Sequence, residues 1–217
     1  MKESTRKFLM DYSVPEEIAN AITHGIGVLL SIAALVILVI KAVRTGTAWH
    51  VTSYSIFGSS MILLYLMSTL YHSLLWQGAR NVFGRLDHAT IFVLIAGTYT
   101  PYTLTILRGP WGWVIFGLVW GIALVGVVLK SIYLEKYHKA TTWIYLAMGW
   151  IIVIAGPHLF RQLPFKSLIY LLIGGIFYSV GYIFYKWNKL PWSHPIWHLF
   201  VLAGTIFHFF SILYLTS

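Results

Sequence analysis

Two of the nine histidines in this 217-residue chain, His194 and His198, stand four residues apart in the stretch SHPIWHLF. On a helix that spacing puts both imidazoles on one face, roughly 6 Å apart along the axis. Both can then meet one ion, with a third ligand from a neighbouring helix. Three imidazoles leave the fourth position of tetrahedral Zn²⁺ open for water, which is the arrangement of catalytic zinc. The chain has no cysteine, so thiolate ligands and disulfides are excluded together.

The third ligand is sought in STLYHS, where His72 follows Ser68 by one helical turn on the same face. FGRLDH contributes Asp87, the one acid that opens an apolar span; Glu3, Asp11, Glu16, Glu17 and Glu135 fall outside spans or at their edges. Asp87 suits a general base that accepts a hydrogen bond from a metal-bound water, or a carboxylate that orients a ligand imidazole. Asn20 and His24 lie at the start of the first span. His24 either supports the site or hydrogen-bonds across helices. His88 points about 100° around the helix from Asp87, which suits packing rather than ligation. His208 lies roughly 15 Å beyond His198, too far to share an ion, and is read as a helix-contact residue.

Helices must bring these residues to one place, and the composition says which kind. Hydrophobic residues make up 59% of the chain and charged residues 10%, with a mean hydropathy of +0.77. A soluble globule carries roughly 25% charged residues. Seven apolar spans are expected near 18–43, 49–76, 87–107, 111–130, 140–158, 166–187 and 195–216. The connections are short and carry Thr45-Gly46, Gly78, Gly109-Pro110, Pro164 and Pro191. The expected fold is a single all-α seven-transmembrane bundle over 1–217, with residues 1–17 as a polar cytoplasmic tail. The first apolar run is long for a signal peptide and is read as a retained helix.

Orientation follows from counting Lys and Arg on each side of the bundle. Ten lie on the N-terminal side, Arg80 and Lys130 among them, against five on the other. The N-terminus is therefore expected in the cytoplasm and the C-terminus outside, opposite to a G-protein-coupled receptor. A retinal protein is disfavoured because the last span has no lysine. In this topology Asn20, His24, Ser68, His72, Asp87, His194 and His198 all fall in the cytoplasmic leaflet. Intramembrane ionisable groups are costly, so their convergence calls for pairing or an ion. The net charge of +9 forms no basic stripe, which argues against a nucleic-acid partner.

Together EEIANAITHG, STLYHS, FGRLDHATIFVLIAGTYTP and HPIWH resemble the hemolysin III-related bacterial membrane proteins. That family belongs with the progestin and adipoQ receptors and the alkaline ceramidases, and the resemblance covers nearly the whole chain. It implies a multi-pass plasma-membrane protein with zinc held near the cytoplasmic face by His72, His194 and His198. It also implies that Ser68 and Asp87 flank the zinc-bound water, and that Asn20, His24 and an acid at Glu16 or Glu17 support the site. The sequence departs from regular helix at Pro195, because a residue before proline is biased away from helical geometry. Proline is tolerated in a first turn, so His194 is expected at the N-cap or first turn of its helix.

The function expected from these residues and this resemblance is zinc-dependent hydrolysis of a lipid amide or ester, with Asp87 as base and acyl chains entering laterally from membrane lipid. The alternatives are a non-enzymatic regulator of membrane lipid state or energetics, and a cytolytic pore. No amphipathic insertion segment supports a pore, and no chain of ionisable groups supports a transporter.

Overall fold

The structure is a computed structural model describing residues 12–134, 136–187 and 189–216, with the backbone only of His138 and Lys139. Glu3, Asp11 and Glu135 lie outside the described residues, as does the tail before Tyr12. All regular structure among the described residues is helical. In order these are α1 (Val14–Thr45), α2 (Ala48–Ser73), α3 (Gln77–Leu104), α4 (Pro110–Tyr133), α5 (His138–Gly149), a 3₁₀ turn (Ile151–Ala155), α6 (Gly156–Gln162), α7 (Phe165–Lys186) and α8 (Ser193–Leu213), with a closing 3₁₀ turn (Tyr214–Thr216).

The helix ends follow local chemistry. Ser13 N–H donates to Glu16 Oε2 at 3.0 Å and Pro15 sits in the first turn of α1, a capping box with the proline placed where its missing N–H costs nothing. The helix therefore begins at Val14, and the polar tail expected to reach residue 17 ends four residues sooner. In α8, Pro195 occupies the first turn for the same reason.

Three expectations are corrected. The third span was to open at Asp87, but α3 begins ten residues earlier, at Gln77. Arg80, assigned to a connection, lies on α3 and is 7% exposed; Lys130, expected at the end of the fourth span, lies on α4 and is fully buried. Charge marks a connection only where the alternative surrounding is lipid. Arg80 instead meets Glu17, and Lys130 sits over the Tyr145 ring at 5.6 Å. The fifth span is also not one regular helix, but α5, a 3₁₀ turn and α6. Pro157 has no N–H to bond Val153, and Gly149 and Gly156 are poor helix formers. The Tyr99 hydroxyl takes up the loose ends, 2.8 Å from Met148 O, 2.9 Å from Gly149 O and 2.8 Å from Ile152 N.

Six segments are long and apolar enough to cross a membrane: α1, α2, α4, the α5–α6 stretch from Ala140 to Gln162, α7, and α8 with its closing turn. The exception, α3, is the central helix, touching α2, α4, α5 and α8, while α1 packs against α8 to close the bundle. Seventeen of its 28 residues are buried, against six of 32 in α1, so α3 is solvated by protein and α1 largely by lipid. Val14, Leu29, Val36 and Val43 of α1 and Val114 and Leu124 of α4 form exposed apolar faces, as a bilayer requires. Close approach depends on small residues: a Cβ at Gly126 of α4 would stand 2.4 Å from the Phe92 ring of α3.

Candidate metal centre

His72 projects from the last turn of α2, and His194 and His198 from the first two turns of α8. The four-residue spacing brings the last two rings to 4.6 Å between centroids. Packing of α2 then adds His72, at 5.3 Å from His194 and 5.1 Å from His198. One ring nitrogen from each lies within 4.8 Å of the other two, and all three residues are buried. This group could hold a metal ion. The first-turn position of His194 before Pro195 does not take it out of reach.

The hydrogen bonds show which nitrogens are available. His72 Nδ1 is 2.5 Å from Glu17 Oε2, His194 Nδ1 is 2.9 Å from the Tyr12 hydroxyl, and His198 Nδ1 is 3.3 Å from both Asn20 O and Thr23 Oγ1. Nε2 of His72 and of His194 is buried with no hydrogen-bond partner. Unpaired buried imidazole nitrogens are costly. Ligating histidines commonly leave one nitrogen for the metal while the other is held by a carboxylate, carbonyl or hydroxyl. The donor set therefore fits Zn²⁺, which takes imidazole readily.

The remaining expected residues are placed as follows. Asp87 and His88 line the same internal cavity as His24, His194 and His198. Ser68 is buried, and its hydroxyl has no hydrogen-bond partner. Asn20 is buried with both side-chain polar atoms unpartnered, as are both ring nitrogens of His24. His24 makes no hydrogen bond across helices; it stacks on His198. The open choice between two acids resolves by orientation: Glu17 reaches His72 and Arg80, whereas Glu16 binds Ser13 and the Trp192 N–H. His88 bonds Gly84 O within its own helix, and His208 bonds Leu171 O on α7, a helix contact as its depth suggested.

Four neighbours of the site were not singled out from the sequence: Tyr12, Arg80, Tyr65 and Trp192. Arg80 had a signal, since it lies seven residues before Asp87 and thus on the same face of α3. The others had none, because their partners are 41 to 182 residues distant in sequence.

The cavity, about 140 Å³, runs from Asp87, His194 and His198 to Trp150, Gly175 and His208. Between these ends its walls carry Leu94, Ile95 and Val201, with further lining from Tyr145 and Leu146 of α5 and Tyr178 and Tyr182 of α7.

The family model described as Haemolysin-III related matches residues 12–209. The chain is 49% identical over 205 residues to Hemolysin-3 of Bacillus cereus, covering 94% of each chain. It is 49% identical over 203 residues to the Hemolysin-3 homolog of Bacillus subtilis (strain 168), covering 94% of this chain and 95% of that one. It is 27% identical over 203 residues to the monocyte to macrophage differentiation factor of Homo sapiens, covering 91% and 83%. With these bacterial relatives and six apolar segments of spanning length among the described residues, the chain is a multi-pass protein of the plasma membrane.

Proposed function

Since this chain belongs to the haemolysin-III related family, we propose that it is a zinc-dependent hydrolase of a lipid amide or ester. The observation that carries the reading is the buried trio His72, His194 and His198 beside a cavity that Asp87 also lines. Zinc bound by the three histidines would acidify a water toward neutral pH and polarise a scissile carbonyl.

The protein's own groups do the rest. Asp87 takes a proton from the attacking water and returns it to the leaving amine or alcohol, as a general acid–base residue does. Ser68, whose buried hydroxyl is unpartnered and lies one turn before His72 on the same face, would supply a further hydrogen bond. Leu94, Ile95 and Val201 hold an acyl chain and keep bulk water from the reacting atoms. Acyl chains would enter laterally from the bilayer between α5 and α7, both of which line the cavity, by displacing the Trp150–Ser179 contact that bridges them.

In this reading α3 is a seventh crossing and the N-terminus is cytoplasmic. At 28 residues, α3 is about 42 Å long, and its polar residues face other helices. Setting the buried Arg80 and Lys130 aside leaves the basic excess on the same side. A cysteine-free chain suits the check by single introduced cysteines and an impermeant thiol reagent.

The function is tested with purified full-length protein, zinc-loaded, in liposomes carrying a ceramide-like N-acyl amide or a lipid ester. Release of fatty acid by the wild type and its loss in Asp87→Asn are expected. Turnover that survives both Asp87→Asn and a chelator would refute the hydrolase. Metal retention with no turnover on either lipid would instead favour a non-enzymatic regulator, and leakage of vesicle contents independent of the histidines a lytic role.

A further inference from the structure

The three histidines are not equally secured by their own helices. His72 has the whole of α2 behind it and His198 follows a completed turn of α8. His194 has neither. It lies in the first turn, Pro195 follows it, and Trp192 before it has φ 62° and ψ 12°. Trp192 is the one non-glycine residue with positive φ among the described residues. Such a conformation persists only where the surroundings impose it.

The restraint comes from the start of α1. Glu16 Oε1 accepts the Trp192 N–H at 2.9 Å, pinning the left-handed residue. The Tyr12 hydroxyl lies 2.9 Å from His194 Nδ1, and the two rings are 4.5 Å apart. Tyr12 directly precedes the Ser13–Glu16 capping box, so the box sets its position. Including Glu17 on His72, and Thr23 with Asn20 O on His198, every Nδ1 in the trio is held from residues 12 to 23.

We infer that Tyr12 is a positioning residue for His194. Its hydroxyl oxygen accepts the Nδ1–H, selecting the tautomer whose bare Nε2 faces His72 and His198. The inference rests on the reading of the trio as a metal site. A neutral hydroxyl on a first-turn histidine makes His194 the ligand most dependent on its outer partner.

The test uses the full-length protein in detergent or nanodiscs, with Co²⁺ and Zn²⁺ as probes against a competing chelator. Tyr12→Phe retains the ring and removes one oxygen. Its affinity for either ion is expected to fall about 10- to 100-fold, as for other outer partners of metal-bound histidines, with a changed Co²⁺ absorption spectrum and unaltered melting of the metal-free protein. Added to His194→Ala, the same change is expected to have no further effect on affinity, because Tyr12 acts through His194. Wild-type affinity and spectrum in Tyr12→Phe would overturn the inference alone, as would an undiminished loss in the His194→Ala background. A wild-type protein that takes up neither ion would overturn the metal reading and this inference with it.

Discussion

His24 lies flat on His198, with ring planes 6° apart and centroids 3.5 Å apart. Tyr65 stands edge-on to the other side of the pair, 5.0 Å from His24. The stack limits rotation of the His198 ring and thereby keeps its Nδ1 toward Asn20 O and Thr23. A stacked ring pair contributes about 0.5–1.5 kcal/mol beyond its burial. His24→Ala should therefore weaken zinc binding about two- to tenfold while leaving one zinc per chain at saturation. His24→Phe should restore most of the loss; if it binds as poorly as the alanine variant, the plate is not what matters. Metal titration with elemental analysis distinguishes the two.

Glu17 bridges two helices, accepting from His72 of α2 and from Arg80 of α3. Glu17→Gln removes the charge from both contacts at once. Hydrogen bonds to charged groups contribute about 1.5–3 kcal/mol, so the variant should melt earlier and also bind metal more weakly. Because Arg80 shares the interaction, Glu17→Gln and Arg80→Gln together should destabilise by less than the sum of the two alone. Additive melting-temperature losses would show that the bridge carries little energy.

Gly126 and Gly121 lie on the same helix and should respond oppositely to alanine. A Cβ at Gly126 meets Phe92 at 2.4 Å, whereas a Cβ at Gly121 meets nothing within 4 Å. Gly126→Ala should cost about 1–3 kcal/mol through overpacking. Gly121→Ala should be neutral or raise the melting temperature, since alanine is the better helix former. Equal melting temperatures for the two variants would contradict the close α3–α4 contact.

The Tyr99 hydroxyl serves Met148 O, Gly149 O and Ile152 N–H at the break after α5. Tyr99→Phe leaves those backbone groups without a partner at an estimated cost of about 1–3 kcal/mol. The expected readout is faster amide exchange at Ile152 and its neighbours, with exchange in α1 and α8 unchanged. Protection identical to wild type would mean that the break is held by something other than this hydroxyl.

What could be read from the chain alone follows from short-range periodicity. The apolar runs gave the helical membrane class, and the four-residue spacing of His194 and His198 placed both rings on one face. The basic count brought His72 and Asp87 to the same depth, and the structure places both beside that pair. Errors arose where charge was taken as a sign of water. Arg80 is basic yet buried, because Glu17 across the bundle replaces the solvent a connection would have offered. Lipid-facing α1 keeps a clean apolar pattern; central α3 does not need one.

By itself, then, the sequence determined the class of fold and the shared face of His194 and His198, because contacts within one helix depend only on spacing. Tertiary structure alone decided that Glu17 rather than Glu16 serves His72, that His24 stacks rather than hydrogen-bonds, and that Tyr12 meets His194 across 182 positions. Those choices are set by how α1 lies between α2 and α8. That packing depends on the shapes of all three helices together, which no local spacing along the chain encodes.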